Sequence, residues 1–380
     1  MNRRLVGGLA APALAAAVAI AVSSIALLIA GESPVTTFRE MWKTIDSTQS
    51  VTFIVNNAVP YYVAGVAVAI GFKMNLFNIG AAGQYQLGAL LAAAAGAAVT
   101  LPAPVHVAFV MAVAVVVGAA YAAIAGILKV WRGVNEVIST IMLNYIAIGI
   151  AAFLLAEPLR NDSSGNLAQT RSLPASARLP DLNGVFETLG FDFPSGVVLQ
   201  GFLPFAIALG IGYHLLLNRS RFGFNLRVSG ANPAAARTSG VNPKRMVLTT
   251  IILSGAIAGL IGMAPLLTEE FSYGDQFPKS LGFTGLALAL LGRNHPVGIA
   301  GAALVWATIE RATQRLSTLG IPQEIGVILQ GSFLLAAVIA YEVVRRRTEA
   351  AEARAAAERT PDVPMTEVAA AGAQTGGRAP

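Results

Sequence analysis

Cysteine is absent from all 380 positions, which excludes disulfides and thiolate metal sites. Charge is scarce as well: Asp, Glu, Lys and Arg make up 12% of the chain, against 55% hydrophobic residues. The three histidines, His106, His214 and His295, lie too far apart in sequence to form a ligand-spaced pair, so packing or interfacial roles are expected. None of the five lysines, Lys43, Lys73, Lys129, Lys244 and Lys279, follows a glycine. A P-loop needs G-x-x-x-x-G-K-[ST], so no nucleotide-binding motif of that kind is present. The long apolar runs also lack the Asp, Glu and Arg that intramembrane proton and ion relays generally use. An energy source outside the chain is therefore expected. Neither paired intramembrane carboxylates nor a Ser–Lys dyad supports a membrane-embedded enzyme.

What the chain does have is apolar length, with a mean hydropathy of +0.64. Uncharged segments at 8–30, 54–71, 81–99, 105–128, 137–156, 199–217, 246–267, 281–292, 297–309 and 325–341 predict an all-α polytopic membrane protein. About ten transmembrane helices are expected, some short or broken. Arg3 and Arg4 precede the first run, which is too long for a signal-peptide core and reads as a retained helix. The runs 281–292 and 297–309 are too short to cross about 30 Å of hydrocarbon. They either extend into flanking polar turns or form a re-entrant hairpin.

The net charge of +6 does not point to nucleic acid, because the basic residues sit at the ends of apolar runs. With both termini in the cytoplasm, 18 of the 26 Lys and Arg fall inside and 8 outside. Residues 1–347 then form the transmembrane domain, with 157–198 a long external loop and 218–245 a cytoplasmic loop. Residues 348–380 read as a disordered cytoplasmic tail. In the external loop, Phe186, Leu189, Phe191 and Phe193 are expected to pack as a small lid. Phe38, Met41, Trp42 and Ile45 fall at helical spacing and predict an amphipathic surface helix in 31–53.

Four polar stretches interrupt the apolar pattern. In Gly230-Ala231-Asn232-Pro233-Ala234-Ala235-Ala236-Arg237-Thr238-Ser239-Gly240-Val241-Asn242-Pro243, Asn232 and Asn242 suit N-caps, and each is followed by a proline fit for the first helical position. Gly240 suits the left-handed residue that ends a helix. A stiff helix of about two turns, 233–239, is predicted on the cytoplasmic side, as a docking element. The second stretch, Lys73 to Gln86, carries Asn75, Asn78, Gln84 and Gln86, amides that are costly against lipid and so should face protein, water or a solute path. The third, Asn135 to Tyr145, opens with Asn135 and Glu136 and places Asn144 deeper, as an interhelical or solute contact. The fourth, Glu310, Arg311, Gln314 and Arg315, reads most simply as a solvated helix end. Gly65–Ile70 and Gly285–Leu290 form one possible internal repeat.

At these residues the chain resembles the permease subunits of bacterial ABC importers in the branched-chain amino acid, ribose and nucleoside group. The resemblance covers roughly residues 50–345. Residues 230–243 look like that family's coupling segment, which implies contact with the ATPase through Gly230, Asn232, Pro233, Ala235, Ala236, Arg237 and Gly240. Leu76-Phe77-Asn78-Ile79-Gly80, Asn135 to Thr140 and Leu291 to Pro296 look most like the nucleoside-type branch. The resemblance implies a bacterial inner-membrane permease for a nucleoside or related small polar solute, with a path near Asn75, Phe77, Asn78, Gln84 and Asn144. It further implies two ATPase subunits, a second permease and an external binding lipoprotein as partners. ATP would be used by the ATPase, with no cofactor bound by this chain. A simple-sugar permease is the main alternative for the solute, and an ion-coupled secondary transporter the alternative for the energy source.

Overall fold

The computed structural model describes residues 17–161, 165, 167–318 and 324–336, together with 339, 343 and 346. The expected tail at 348–380 and the start of the first apolar run lie outside these residues. The chain divides into two compact units, one spanning Ala26–Gln330 and the other made of the residues that flank it.

In a hydrocarbon solvent each backbone N–H and C=O must find an internal partner, so apolar runs fold as helices. Each of the ten apolar segments carries a helix where it is described. The helices are α1 (Ala17–Ile29), α2 (Pro34–Trp42), α3 (Thr48–Phe72), α4 (Ala81–Ala98), α5 (Ala103–Arg132), α6 (Glu136–Ala156) and α7 (Asn183–Glu187). They continue with α8 (Leu203–Arg219), α9 (Arg221–Ala231), α10 (Pro233–Thr238), α11 (Pro243–Glu270), α12 (Leu281–Leu291), α13 (Pro296–Thr318) and α14 (Glu324–Ala336). Helices α1 and α14 each continue across a border of the larger unit, and the others lie within it. Among the described residues four helices, α3, α5, α6 and α11, are long and apolar enough to cross a membrane. Among the described residues the only β-type pairing is an isolated bridge between Gln169 and Gly274.

The centre is α3. From Val63 to Phe72 every residue is buried, against α11, α12 and α13. Pro60 lies inside this helix and removes one hydrogen bond from its ladder. Small residues let the helices approach closely, since lipid gives no hydrophobic drive for helix association. A Cβ on Gly118 of α5 would overlap the Gly255 carbonyl oxygen of α11. One on Gly259 would overlap the Ala114 oxygen. Backbone therefore touches backbone along the α5–α11 seam.

The proposed repeat segments pack against each other. A Cβ on Gly285 would come within 2.6 Å of Ala64, and one on Gly65 within 3.6 Å of the Leu288 Cβ. Each helix is followed, three residues past its last, by a left-handed asparagine, Asn75 (φ 54°) and Asn294 (φ 53°).

The short segments resolve in different ways. Helix α12 has 11 residues and spans about 16 Å, too little to cross the hydrocarbon. Helix α13 instead runs on through the polar residues to Thr318. Glu310 and Arg311 are consequently not a solvated end. The Tyr61 hydroxyl donates to Glu310 Oε2 (3.0 Å), and the Arg311 guanidinium lies over the Phe53 ring, 4.6 Å from its centroid.

Helix α2 turns Phe38 and Met41 toward Leu27, Ile325 and Leu329, while Trp42 and Ile45 stay exposed. The described residues of the long loop after α6 are held in place, though not by the phenylalanine lid. Phe186 and Phe191 meet edge to face, but Leu189 and Phe191 remain exposed. The loop is instead laced to the end of α11. Backbone N–H groups of Thr170, Leu173 and Leu179 donate to the carbonyls of Tyr273, Phe271 and Leu267. Fully buried His106 adds a clamp, with Nδ1 2.9 Å from Ser176 Oγ and Nε2 2.9 Å from the Gly96 carbonyl.

Candidate functional site

Helix α4 begins inside the protein, and that creates the first polar site. Its N-cap is Gly80, which has no side chain with which to cap the first turn. The N–H groups of a buried helix start need partners. Asn78 Oδ1 accepts from the Gly80 N–H (3.1 Å), and Asn144 Oδ1, reaching over from α6, accepts from the Gly83 N–H (2.8 Å). Asn144 Nδ2 donates to the Ile79 carbonyl (2.7 Å). Asn78 and Gln84 pair amide to amide: Asn78 Nδ2 donates to Gln84 Oε1 (2.9 Å), and Gln84 Nε2 donates to Asn78 Oδ1 (3.0 Å). Asn78 Nδ2 also reaches Ser254 Oγ (2.9 Å), whose hydroxyl donates to the Ala67 carbonyl (2.7 Å).

Asn78, Gln84 and Asn144 are each 2% exposed, so this knot joins α3, α4, α6 and α11 without solvent. Every polar atom of the three amide side chains has a partner. Ser254 is the member that sequence reasoning missed. A serine inside an apolar helix usually bonds back to its own preceding turn, so nothing in the run around it marked an interhelical role.

The other two candidates of this group lie outside the knot. Asn75 is exposed and donates from Nδ2 to the Gly230 carbonyl (2.9 Å). Phe77 is 44% exposed and meets Phe72 edge to face. Gln86 points away, its Nε2 donating to the Lys279 carbonyl (3.3 Å).

The second site is the segment 230–243. Asn232 Oδ1 accepts from the N–H groups of Ala234 and Ala235 (3.0 and 3.1 Å), and Pro233 opens α10. Gly240 is left-handed (φ +79°). The Gly240 N–H donates to Arg237 O and the Val241 N–H to Ala236 O, closing the helix C-terminus. Asn242 Oδ1 then accepts from the Arg245 N–H (3.2 Å) to begin α11. Ala236 is buried, whereas Ala235 and Arg237 are exposed. Both helix ends are thus fixed, and α10 joins α11 through a turn of four residues, 239–242.

The stretch read as a plain loop before it is helix α9, capped by Ser220 Oγ at the Gly223 N–H. Gly230 sits directly on α3's exit: a Cβ there would lie 2.7 Å from Met74 Cα. Asn75 and Gly230 therefore couple the two sites. The knot's stem, residues 73–80, thus packs directly against the end of α9.

The profile of the branched-chain amino acid transport system permease component matches residues 50–338. The chain belongs to that family. The permease is 31% identical over 326 residues to the glucose ABC transporter permease TsgB13 of Haloferax volcanii, covering 85% of each chain. It is 31% identical over 320 residues to the guanosine ABC transporter permease NupP of Bacillus subtilis, with 83% of this chain and 87% of that one covered. It is 27% identical over 361 residues to the nucleoside ABC transporter permease NupB of Lactococcus lactis, covering 92% and 96%. No solved structure matches. The permease is a multi-pass membrane protein and a component of ABC transport, a class that works with ATPase and binding-protein partners.

Proposed function

We propose that this permease carries a nucleoside inward across a bacterial inner membrane, driven by ATP hydrolysis in two ATPase subunits that seat against α10. Two of the three relatives named above act on guanosine or nucleosides, which supports that solute over a sugar. A binding lipoprotein outside delivers the solute, and a second permease completes the path. Both termini lie in the cytoplasm, and about ten helices or half-helices enter the membrane. The observation that carries the coupling role is α10 itself: a six-residue helix fixed at both ends and joined by a short turn to a 28-residue span. Such an element transmits displacement to α11, and through Gly230 and Asn75 to the stem below the knot. Asn78, Gln84 and Asn144 then flank the path, and their paired amides part when the helices separate.

Gly240 isolates the coupling role from folding. A Cβ there meets nothing within 4 Å, so a substitution costs only the backbone conformation. A left-handed non-glycine residue costs about 1–2 kcal/mol, and a β-branched one more. Gly240→Val is expected to lower the bundle's unfolding temperature by only a few degrees while weakening ATPase binding up to roughly tenfold. Co-purification from detergent measures it, and normal ATPase recovery together with normal uptake would remove α10 from the coupling path. The solute is tested by competing labelled guanosine uptake in whole cells against unlabelled glucose and unlabelled nucleosides. Competition by glucose alone assigns the sugar instead.

A further inference from the structure

A cleft of about 570 Å³ opens between α3, α8 and α13 and takes no part in either site. It is lined by residues such as Val55, Ile207, Ile211 and Leu304, and its only polar contributors are Tyr62, His214 and His295. Along α8 it runs from Leu203 to Leu215, about 18 Å of helix, close to the roughly 15 Å depth of one leaflet's hydrocarbon. Two of these, the His214 and His295 rings, meet edge to face at 6.0 Å at one end of it.

About one helical turn beyond that end, the chain forms a second recess from Asn218, Arg219, Ser220, Arg221, Phe224, Asn225 and Arg227. His214 Nδ1 and Asn218 Nδ2, 3.1 Å apart, connect the two. The recess is strongly cationic. Between Asp192 and Glu269 the sequence has no acidic residue but six basic ones. Arg219, Arg221 and Arg227 are exposed, and none forms an ion pair with a described residue, although Arg227 also donates to the Leu217 carbonyl. Burial, and then the neighbouring Arg227 and Arg293, hold the Lys73 ammonium below the ordinary lysine range.

We propose that this is a binding site for an anionic phospholipid, with an acyl chain in the α3–α8–α13 cleft and the headgroup phosphate on Arg219, Arg221 and Arg227. An apolar slot of leaflet depth that ends in guanidinium groups with no carboxylate beside them matches the two halves of such a lipid. A cytosolic protein matches only the basic half, because its surface does not reach apolar residues at membrane depth. A second copy packed on the same face about a two-fold axis would bring like charges toward each other. The site rests on the membrane reading of the chain and not on its solute or direction of transport.

The test uses the full-length permease purified in detergent and titrated with phosphatidylglycerol or phosphatidylcholine, with bound lipid read by native mass spectrometry. The native protein is expected to retain one phosphatidylglycerol per chain and to prefer it at least tenfold over phosphatidylcholine. Arg219→Ala with Arg221→Ala is expected to abolish the preference while weak binding of both lipids remains. Ile211→Trp, which fills the slot, is expected to abolish retention of both while the protein stays monodisperse. Equal retention of the two lipids by the native protein overturns the proposal. So does an arginine variant that keeps its preference but loses the ATPase, which would assign the recess to that partner. Ile211→Cys in this cysteine-free chain adds a further check. An efficient disulfide between copies there would place a second permease in the cleft, which also overturns the proposal. Loss of guanosine uptake alone bears on the proposed function and leaves lipid retention unchanged.

Discussion

Gly118→Val is expected to eliminate folded permease, with less than about a tenth of the native yield surviving detergent extraction as a monodisperse species. The reason is geometric: the first carbon of any side chain at 118 would overlap the Gly255 oxygen and sit 2.9 Å from the Gly259 nitrogen. Those are backbone atoms, which cannot rotate aside. Relief requires α5 and α11 to separate over their shared length, and α4 with them, because Gly88 meets Gly259 at the same seam. Overpacking in well-packed cores costs about 1–3 kcal/mol, and this contact exceeds that range because no side chain can yield. Gly149→Val in α6 and Gly212→Val in α8 are the matched controls. Each adds the same side chain to a helix where nothing lies within 4 Å. Both should unfold within a few degrees of the native protein. Equal losses at all three positions would mean that helix propensity, not interhelical contact, sets the outcome.

Asn78→Leu carries the second large effect. The substitution is nearly isosteric, yet it removes both partners of the Gln84 amide, the acceptor for the Gly80 N–H and a donor to Ser254. Each buried polar group left unpaired costs about 1–3 kcal/mol, so a loss of roughly 3 kcal/mol is expected, read as a lower unfolding temperature in detergent. Ser254→Ala should cost about 1 kcal/mol, since the Ala67 carbonyl it serves also lies in a helix. A second substitution gives a sign that simple damage cannot produce. Gln84→Leu added to Asn78→Leu removes the orphaned amide and is expected to restore part of the stability, because two apolar partners leave less to satisfy. If the double variant folds but does not transport, the amides act in the solute path as well as in the fold.

The element types were legible because the determinants are local. Apolar runs forecast helices, and the Asn-Pro pairs at 232–233 and 242–243 with Gly240 gave both ends of α10 to within a residue. What escaped depends on partners distant in sequence. Ser254 looks like any serine in an apolar helix, and only the fold brings Asn78 beside it. Glu310 reads as solvated until Tyr61, 249 positions away, donates to it. The 157–198 loop was expected to order through its phenylalanines, the obvious apolar groups, whereas backbone bonds to 267–273 order it. Backbone pairing of irregular segments leaves no mark on side-chain pattern. The extension of α13 into its polar flank was one of two alternatives open in the sequence, because a polar stretch that packs against α3 looks the same there as one that faces water.

In the proposed function, ATP consumed in partner subunits moves the bundle. Guanosine uptake into right-side-out vesicles of cells expressing the complete transporter, with the binding protein supplied outside, measures it directly. Coupling through α10 predicts uptake that needs ATP trapped inside the vesicle and continues when an ionophore collapses the ion gradients. Uptake that persists without internal ATP and stops with the ionophore would contradict it.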